Sequence, residues 1–190
     1  MSRLKTFAAV VLAATVPAMA QAADFNLTGG SGTTSTATFA SGGIGLNVTG
    51  PSLGGSLDVT RSSDGLGVST GLADLGGIGN NESLTLTFSQ AVNLSSLKVA
   101  GWSNSDRVTL SWAGGSINLS GAGDFNPFGT DTLNLSNAVG TVFKLEGTSS
   151  LTTFRLNGLT AVAAVPEPST YALMGLGLVG IAAVRRRRAR

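Results

Sequence analysis

Ser83-Leu-Thr-Leu-Thr-Phe-Ser89 alternates Leu84, Leu86 and Phe88 with serine and threonine, and Arg107-Val-Thr-Leu-Ser-Trp112 does the same with Val108, Leu110 and Trp112. In an extended chain successive side chains point to opposite faces, so each run presents one apolar face and one hydroxyl face. Antiparallel sheets packed on one side and wet on the other are built this way. Outward from these two runs, the period of two recurs at Ile44/Leu46/Val48, Leu57/Val59, Leu66/Val68, Leu97/Val99, Ile117/Leu119, Leu133/Leu135, Phe143/Leu145 and Phe154/Leu156. Gly-Gly, Gly-Asn and Asp-Gly pairs separate the runs, and Ala113-Gly114-Gly115-Ser116 is the best hairpin candidate. No stretch between the ends carries a 3.6-residue period. About ten short strands with regular turns predict an all-β fold, an antiparallel β-sandwich of jelly-roll type. A right-handed β-solenoid is the alternative, weakened by the lack of a fixed internal period. Trp102 and Trp112 read as core or sheet-edge aromatics.

The chain has 190 residues, with 27 Gly, no Cys and no His. Those absences exclude a Ser-His-Asp triad, a cysteine nucleophile, thiolate or imidazole zinc sites and disulfides. Carboxylate chemistry, a hard-cation site or no chemistry remain. The formal net charge of +2 comes from the ends. Between Asp24 and Val165 stand 5 basic and 9 acidic residues, a net charge of −4. An acidic body has no electrostatic footprint for phosphate, so nucleic acid is not an expected partner.

Residues 1–22 have the three parts of a secretory signal: Arg3 and Lys5, an apolar run from Phe7 to Val16, then Pro17 and small residues. Cleavage after Ala22 is favoured, with Ala20 as the other choice, which makes the Sec translocon and signal peptidase partners. The exported body is then 23–164, large enough to bury one core without disulfides.

The remaining segment, 165–190, opens on Val165-Pro166-Glu167-Pro168. Its prolines favour an extended, accessible backbone. Tyr171 to Val184 follows, 14 residues without charge. As a transmembrane helix it would rise ~21 Å, short of a ~30 Å hydrocarbon core unless flanking arginines snorkel. Arg185, Arg186, Arg187, Arg188 and Arg190 form a positive membrane stop that holds the body on the opposite side of the membrane.

The Pro-Glu-Pro triplet, the apolar span and the arginine cluster, in that order, resemble the PEP-CTERM sorting signal of Gram-negative bacteria. The resemblance implies a membrane-embedded exosortase as partner, transient residence in the inner membrane, and delivery to the cell surface or extracellular matrix. It also implies a setting of exopolysaccharide production and biofilm formation, with exopolysaccharide itself as a further partner. The catalytic cysteine would be the exosortase's. The body, notably 65–71, 80–88 and 102–110, loosely resembles extracellular domains found upstream of such tails, most of which have no assigned activity.

Three chemistries have candidate residues. Asp64, Asp74, Asn80, Asn81 and Glu82 lie in Gly-rich loops, where oxygen ligands would suit a structural Ca²⁺. The same residue types favour turns for their own reasons, because they tolerate left-handed backbone and bond it locally. Trp102, Asn104 and Asp106 sit together as an aromatic and polar set that could bind a glycan, against a packed tryptophan beside an ordinary turn. Glu82 and Asp106 are the nominees for a glycosidase pair, with sequence spacing giving no carboxylate separation. The leading expectation is a sorted surface or matrix protein without catalytic activity or cofactor. A carbohydrate-binding module and a carboxylate-based polysaccharide hydrolase are the alternatives.

Overall fold

A computed structural model describes residues 21–51, 58–69, 76–121, 129–150, 153–164, 174–175, 177–179 and 185. The described residues form eleven strands: β1 (Ala22–Asn26), β2 (Gly32–Thr34), β3 (Thr36–Ser41), β4 (Ile44–Thr49), β5 (Asp58–Ser62), β6 (Gly65–Ser69), β7 (Ser83–Ala100), β8 (Arg107–Trp112), β9 (Gly115–Ser120), β10 (Thr130–Gly147) and β11 (Arg155–Ala163). They join one sheet in the order β2-β5-β6-β11-β7-β10-β8-β9, with β1 on β11 and β4 linking β3 to β7. All strand pairings are antiparallel, and one isolated parallel bridge joins Asn80 to Gly147. The all-β expectation therefore holds. The solenoid alternative, which stacks parallel coils, does not.

The runs read as separate strands at 83–89 and 97–99 are one 18-residue strand, β7, and 133–135 and 143–145 share the equally long β10. The periodicity hides this because its phase slips inside each strand. In β7 the inward residues are Leu84, Leu86, Phe88, Val92 and Leu94, then Leu97 and Val99. Ser95 is the extra residue where Leu94 pairs with Ala161 and Ser96 with Thr160, and its hydroxyl donates to the Thr160 carbonyl at 3.0 Å. A bulge of this kind flips every later side chain to the other parity.

β7 also changes partners, whereas β10 stays beside β7 throughout and takes β8 on its other edge only from Phe143 to Gly147. The first half of β7 pairs with β4 through Thr85–Phe88, and the second half pairs with β11 through Val92–Ala100. Between them Ser89, Gln90 and Ala91 are exposed in succession, so the in–out alternation stops at the switch. Opposite, β10 slips register between Gly140 and Val142. Both halves feed one core, where Phe88 packs edge-to-face on Phe25 at 5.9 Å and on Phe143 at 5.8 Å. Each such buried side chain contributes about 1.5–3 kcal/mol, with ~0.5–1.5 more from an edge-to-face pair.

The predicted hairpin is present: Trp112 pairs with Gly115, leaving Ala113-Gly114 as a two-residue turn. At Gly67 the need is for space, since a Cβ there would overlap the Gly76 carbonyl oxygen. Next to it the Val68 N–H donates to Gly77 at 2.9 Å. Gly67→Ala is expected to push this segment off β6 and cost about 3 kcal/mol, at the upper end for overpacking. Chemical denaturation checks it, as a lower midpoint with an unchanged slope.

Candidate functional site

The exit of the chain towards residue 165 is built by β11. Its last residues pair Val162 with Asn93 and Ala163 with Val92, and the Ala164 N–H then donates to the Ala91 carbonyl at 2.9 Å. On the other side of β11, Ala22 at the start of β1 pairs with the same Val162. Antiparallel pairing thus puts the chain's entry into the body and its exit side by side, one strand spacing or ~4.8 Å apart. Ala23, 1% exposed, is already core.

Beyond the exit, positions 174–175, 177–179 and 185 are helical. Met174 and Leu178 are each 62% exposed, so these apolar side chains find no cover on the sheet. Among the described residues no helix is long and apolar enough to cross a membrane. The sorting residues Val165, Pro166, Glu167 and Pro168, most of the predicted span 171–184, and Arg186, Arg187, Arg188 and Arg190 lie outside the described residues. So do the predicted signal at 1–20, with Ala20, and Asp74.

The loop after β7 carries the glycan nominees, and the structure gives two of them another role. Trp102 is 5% exposed and stands edge-to-face on Phe154 at 5.1 Å, so its ring offers no stacking platform. Asp106 is 1% exposed. Its Oδ2 accepts the Ser103 N–H at 2.5 Å, and its Oδ1 accepts the Thr153 N–H at 2.9 Å, from a segment 47 residues away. Asn104 is exposed, and its carbonyl accepts Arg107 Nη1 at 2.7 Å. The expectation of a glycan platform on Trp102 and Asp106 is corrected accordingly: burial closes the ring, and the carboxylate is occupied by backbone.

Glu82 repeats the device of Asp106. Its Oε2 accepts the Gly79 N–H at 2.6 Å, while its own N–H donates to the Gly79 carbonyl at 3.3 Å. In the loop of Asp106 the return bond, Asp106 N–H to Ser103 carbonyl, is 3.1 Å. In both, a carboxylate reaches three residues back to a backbone N–H and closes a turn, as in the second half of a capping box. Ser103-x-x-Asp106 and Gly79-x-x-Glu82 are the sequence signals for that role. The buried Asp106 has no open side for a sugar, which removes it from a hydrolytic pair.

Asn81 adopts φ 59°, the left-handed backbone that asparagine tolerates. Asp64 is exposed in the β5–β6 turn, taking part with Ser62 and Ser63 in local hydrogen bonds. Among the described residues no three acidic side chains converge in a way that could hold a metal.

A polar cleft of about 300 Å³ lies at the far end of β11, lined by Asp64, Gly101, Thr130, Thr153, Arg155 and Asn157. Thr130, Ala100 and Arg155 are cross-strand neighbours on β10, β7 and β11. Asn157 Nδ2 donates to the Asp64 carbonyl at 3.2 Å. Hydroxyls, a carboxylate, a guanidinium and an amide suit a hydroxyl-rich ligand. Apart from Asp64 these residues went unnoticed in the sequence, because they come from distant segments that only the sheet brings together.

Residues 164–188 match the PEP-CTERM protein-sorting motif. No curated protein matches the chain in sequence.

Proposed function

We propose that this chain, which carries a PEP-CTERM sorting motif at 164–188, is an exported, exosortase-sorted surface or matrix protein without catalytic activity of its own. The motif indicates export and exosortase processing. The finer reading adds a signal peptide at the N-terminus, a transient transmembrane helix at 171–184 and final residence in an exopolysaccharide matrix. Supporting it above all is the place of the motif: it starts at the residue where the sheet's last hydrogen bond is made, Ala164 to Ala91. On this reading the exosortase acts on chain that follows the described sheet, and cutting there leaves the described strands whole.

The body itself is read as a β-sandwich. β7 switches partners midway, and β5 lies against β3 and β4, with which it has no ladder pairing. On this reading signal peptidase cuts after Ala20, because a cut after Ala22 would remove the first residue paired to β11. Deleting 165–190 is expected to move the whole protein from the membrane to the soluble periplasmic fraction with its fold intact. Retention in the membrane fraction would contradict the anchoring role.

Carbohydrate binding is the second reading, and the polar cleft supports it in place of Trp102. Arg155 and Asn157 sit about eight residues, or ~26 Å, along β11 from the tail exit. A body tethered by its tail would hold that cleft away from the membrane.

A further inference from the structure

We infer that the end of the body from which the tail leaves docks on the phospholipid surface, through Val139, Val142 and the half-buried Trp112 at the β8–β9 hairpin. The inference rests on the anchoring reading above and adds an orientation to it.

Among the described residues of the body, Val139 at 47% and Val142 at 46% are the exposed large hydrophobics. Their position follows from the register. Asn93 pairs with Val139 on β10 and with Val162 on β11, and Val162 pairs with Ala22 on β1. One row of residues therefore runs from Val139 across to the chain's entry and exit, about 10 Å from Val139 to Val162 at two strand spacings. Val142 is next to Phe143, which pairs with Trp112. Trp112, Val142, Ser111 and Thr141 border a notch of about 330 Å³, with Lys144, paired to Glu146 at 2.8 Å, at its margin.

Charge points the same way. The described segments 21–23, 41–43, 89–92, 139–142 and 162–164 contain no ionisable side chain. They are neighbours: Gly42 lies against Ala23, Gly45 N–H donates to Ser89 Oγ at 2.9 Å, and Ala164 bonds Ala91. A body with net charge −4 between residues 24 and 165 meets an anionic bilayer with least repulsion through this uncharged end.

The tether makes contact easy. From Ala164 to Tyr171, where the apolar run begins, is seven residues of chain, a reach of no more than about 25 Å. Held so close, the surface needs little affinity of its own, because the tail supplies a high effective concentration. Tryptophan suits the headgroup region, with an apolar ring and one N–H donor.

The two tryptophans serve as built-in probes, since the tail has none. The full chain is reconstituted in phosphatidylethanolamine–phosphatidylglycerol vesicles carrying brominated phospholipid, and insertion is checked by flotation. Fluorescence should be quenched in the wild type and in Trp102→Phe, and the quenching should be lost in Trp112→Phe. The exposed-site double variant Val139→Asp/Val142→Asp should stay folded, float, and lose the quenching. Floating protein whose Trp112 is not quenched overturns the docking while leaving the anchoring reading intact. If Trp112 is instead shielded from aqueous iodide in proportion to protein concentration, the end is an interface between copies and the lipid assignment is wrong. A chain that does not float refutes the anchoring reading, and the docking with it.

Discussion

Asp106→Ala is expected to destabilise the protein by about 3–5 kcal/mol, seen as a fall in thermal midpoint on the order of 10 °C. The carboxylate is 1% exposed and accepts the N–H groups of Ser103 and Thr153. Alanine takes the carboxylate acceptor away from the N–H groups of half-buried Ser103 and of Thr153, at roughly 1–3 kcal/mol each, with more lost because a carboxylate makes the stronger bond. The Thr153 bond also ties the β7–β8 loop to the segment before β11, so its loss frees Phe154 and Trp102 to separate. Asp106→Asn should cost less. The amide keeps one acceptor oxygen but turns its NH₂ towards the other donor. Of a total stability of about 5–15 kcal/mol, the alanine variant gives up a large share. A midpoint within a degree or two of wild type would mean that Asp106 is not the lock described, and would return it to the list of groups available for chemistry.

Replacing Pro166, Glu167 and Pro168 together by alanine is expected to leave folding untouched and to reduce exosortase processing to background. Among the described residues the sheet's last hydrogen bond is made at Ala164, before the triplet begins. Without the prolines the segment can join the helical run that follows, because alanine propagates a helix that proline stops. The extended backbone that the prolines favour would then be lost. Intact-mass measurement of the membrane fraction should find the uncut chain accumulating, with the circular dichroism of the purified body unchanged. Normal processing of the triple variant would show that recognition lies elsewhere in the tail.

The sheet was legible in the sequence because alternation is a local signal: β4, β6, β8 and β9 stand where the paired hydrophobics put them. The extent of β7 and β10 was not, since a bulge at Ser95 and the slip between Asn134 and Ala138 break the phase that local reading follows. The tail was legible for a different reason, as three successive compositions that no strand of the body shares. The candidate sites fared worst. Trp102 and Asp106 are neighbours in sequence, which suggests a site, yet what they meet is Phe154 and Thr153, about 50 residues on. Burial is decided by those distant partners. The three-residue spacing before Asp106 and Glu82 did contain the turn-closing role, in the form of a carboxylate placed to reach back to a backbone N–H. The cleft around Arg155 and Asn157 had no local signature at all, because strand pairing alone assembles it.

The most direct test is the intact mass and cell fraction of the protein in its native host, with and without the exosortase. A form lacking both the N-terminal signal and the arginine-rich end, found at the surface or in the matrix only when the enzyme is present, is the predicted result. An identical, tail-bearing protein in the inner membrane of both strains would contradict exosortase sorting and leave an ordinary tail-anchored domain.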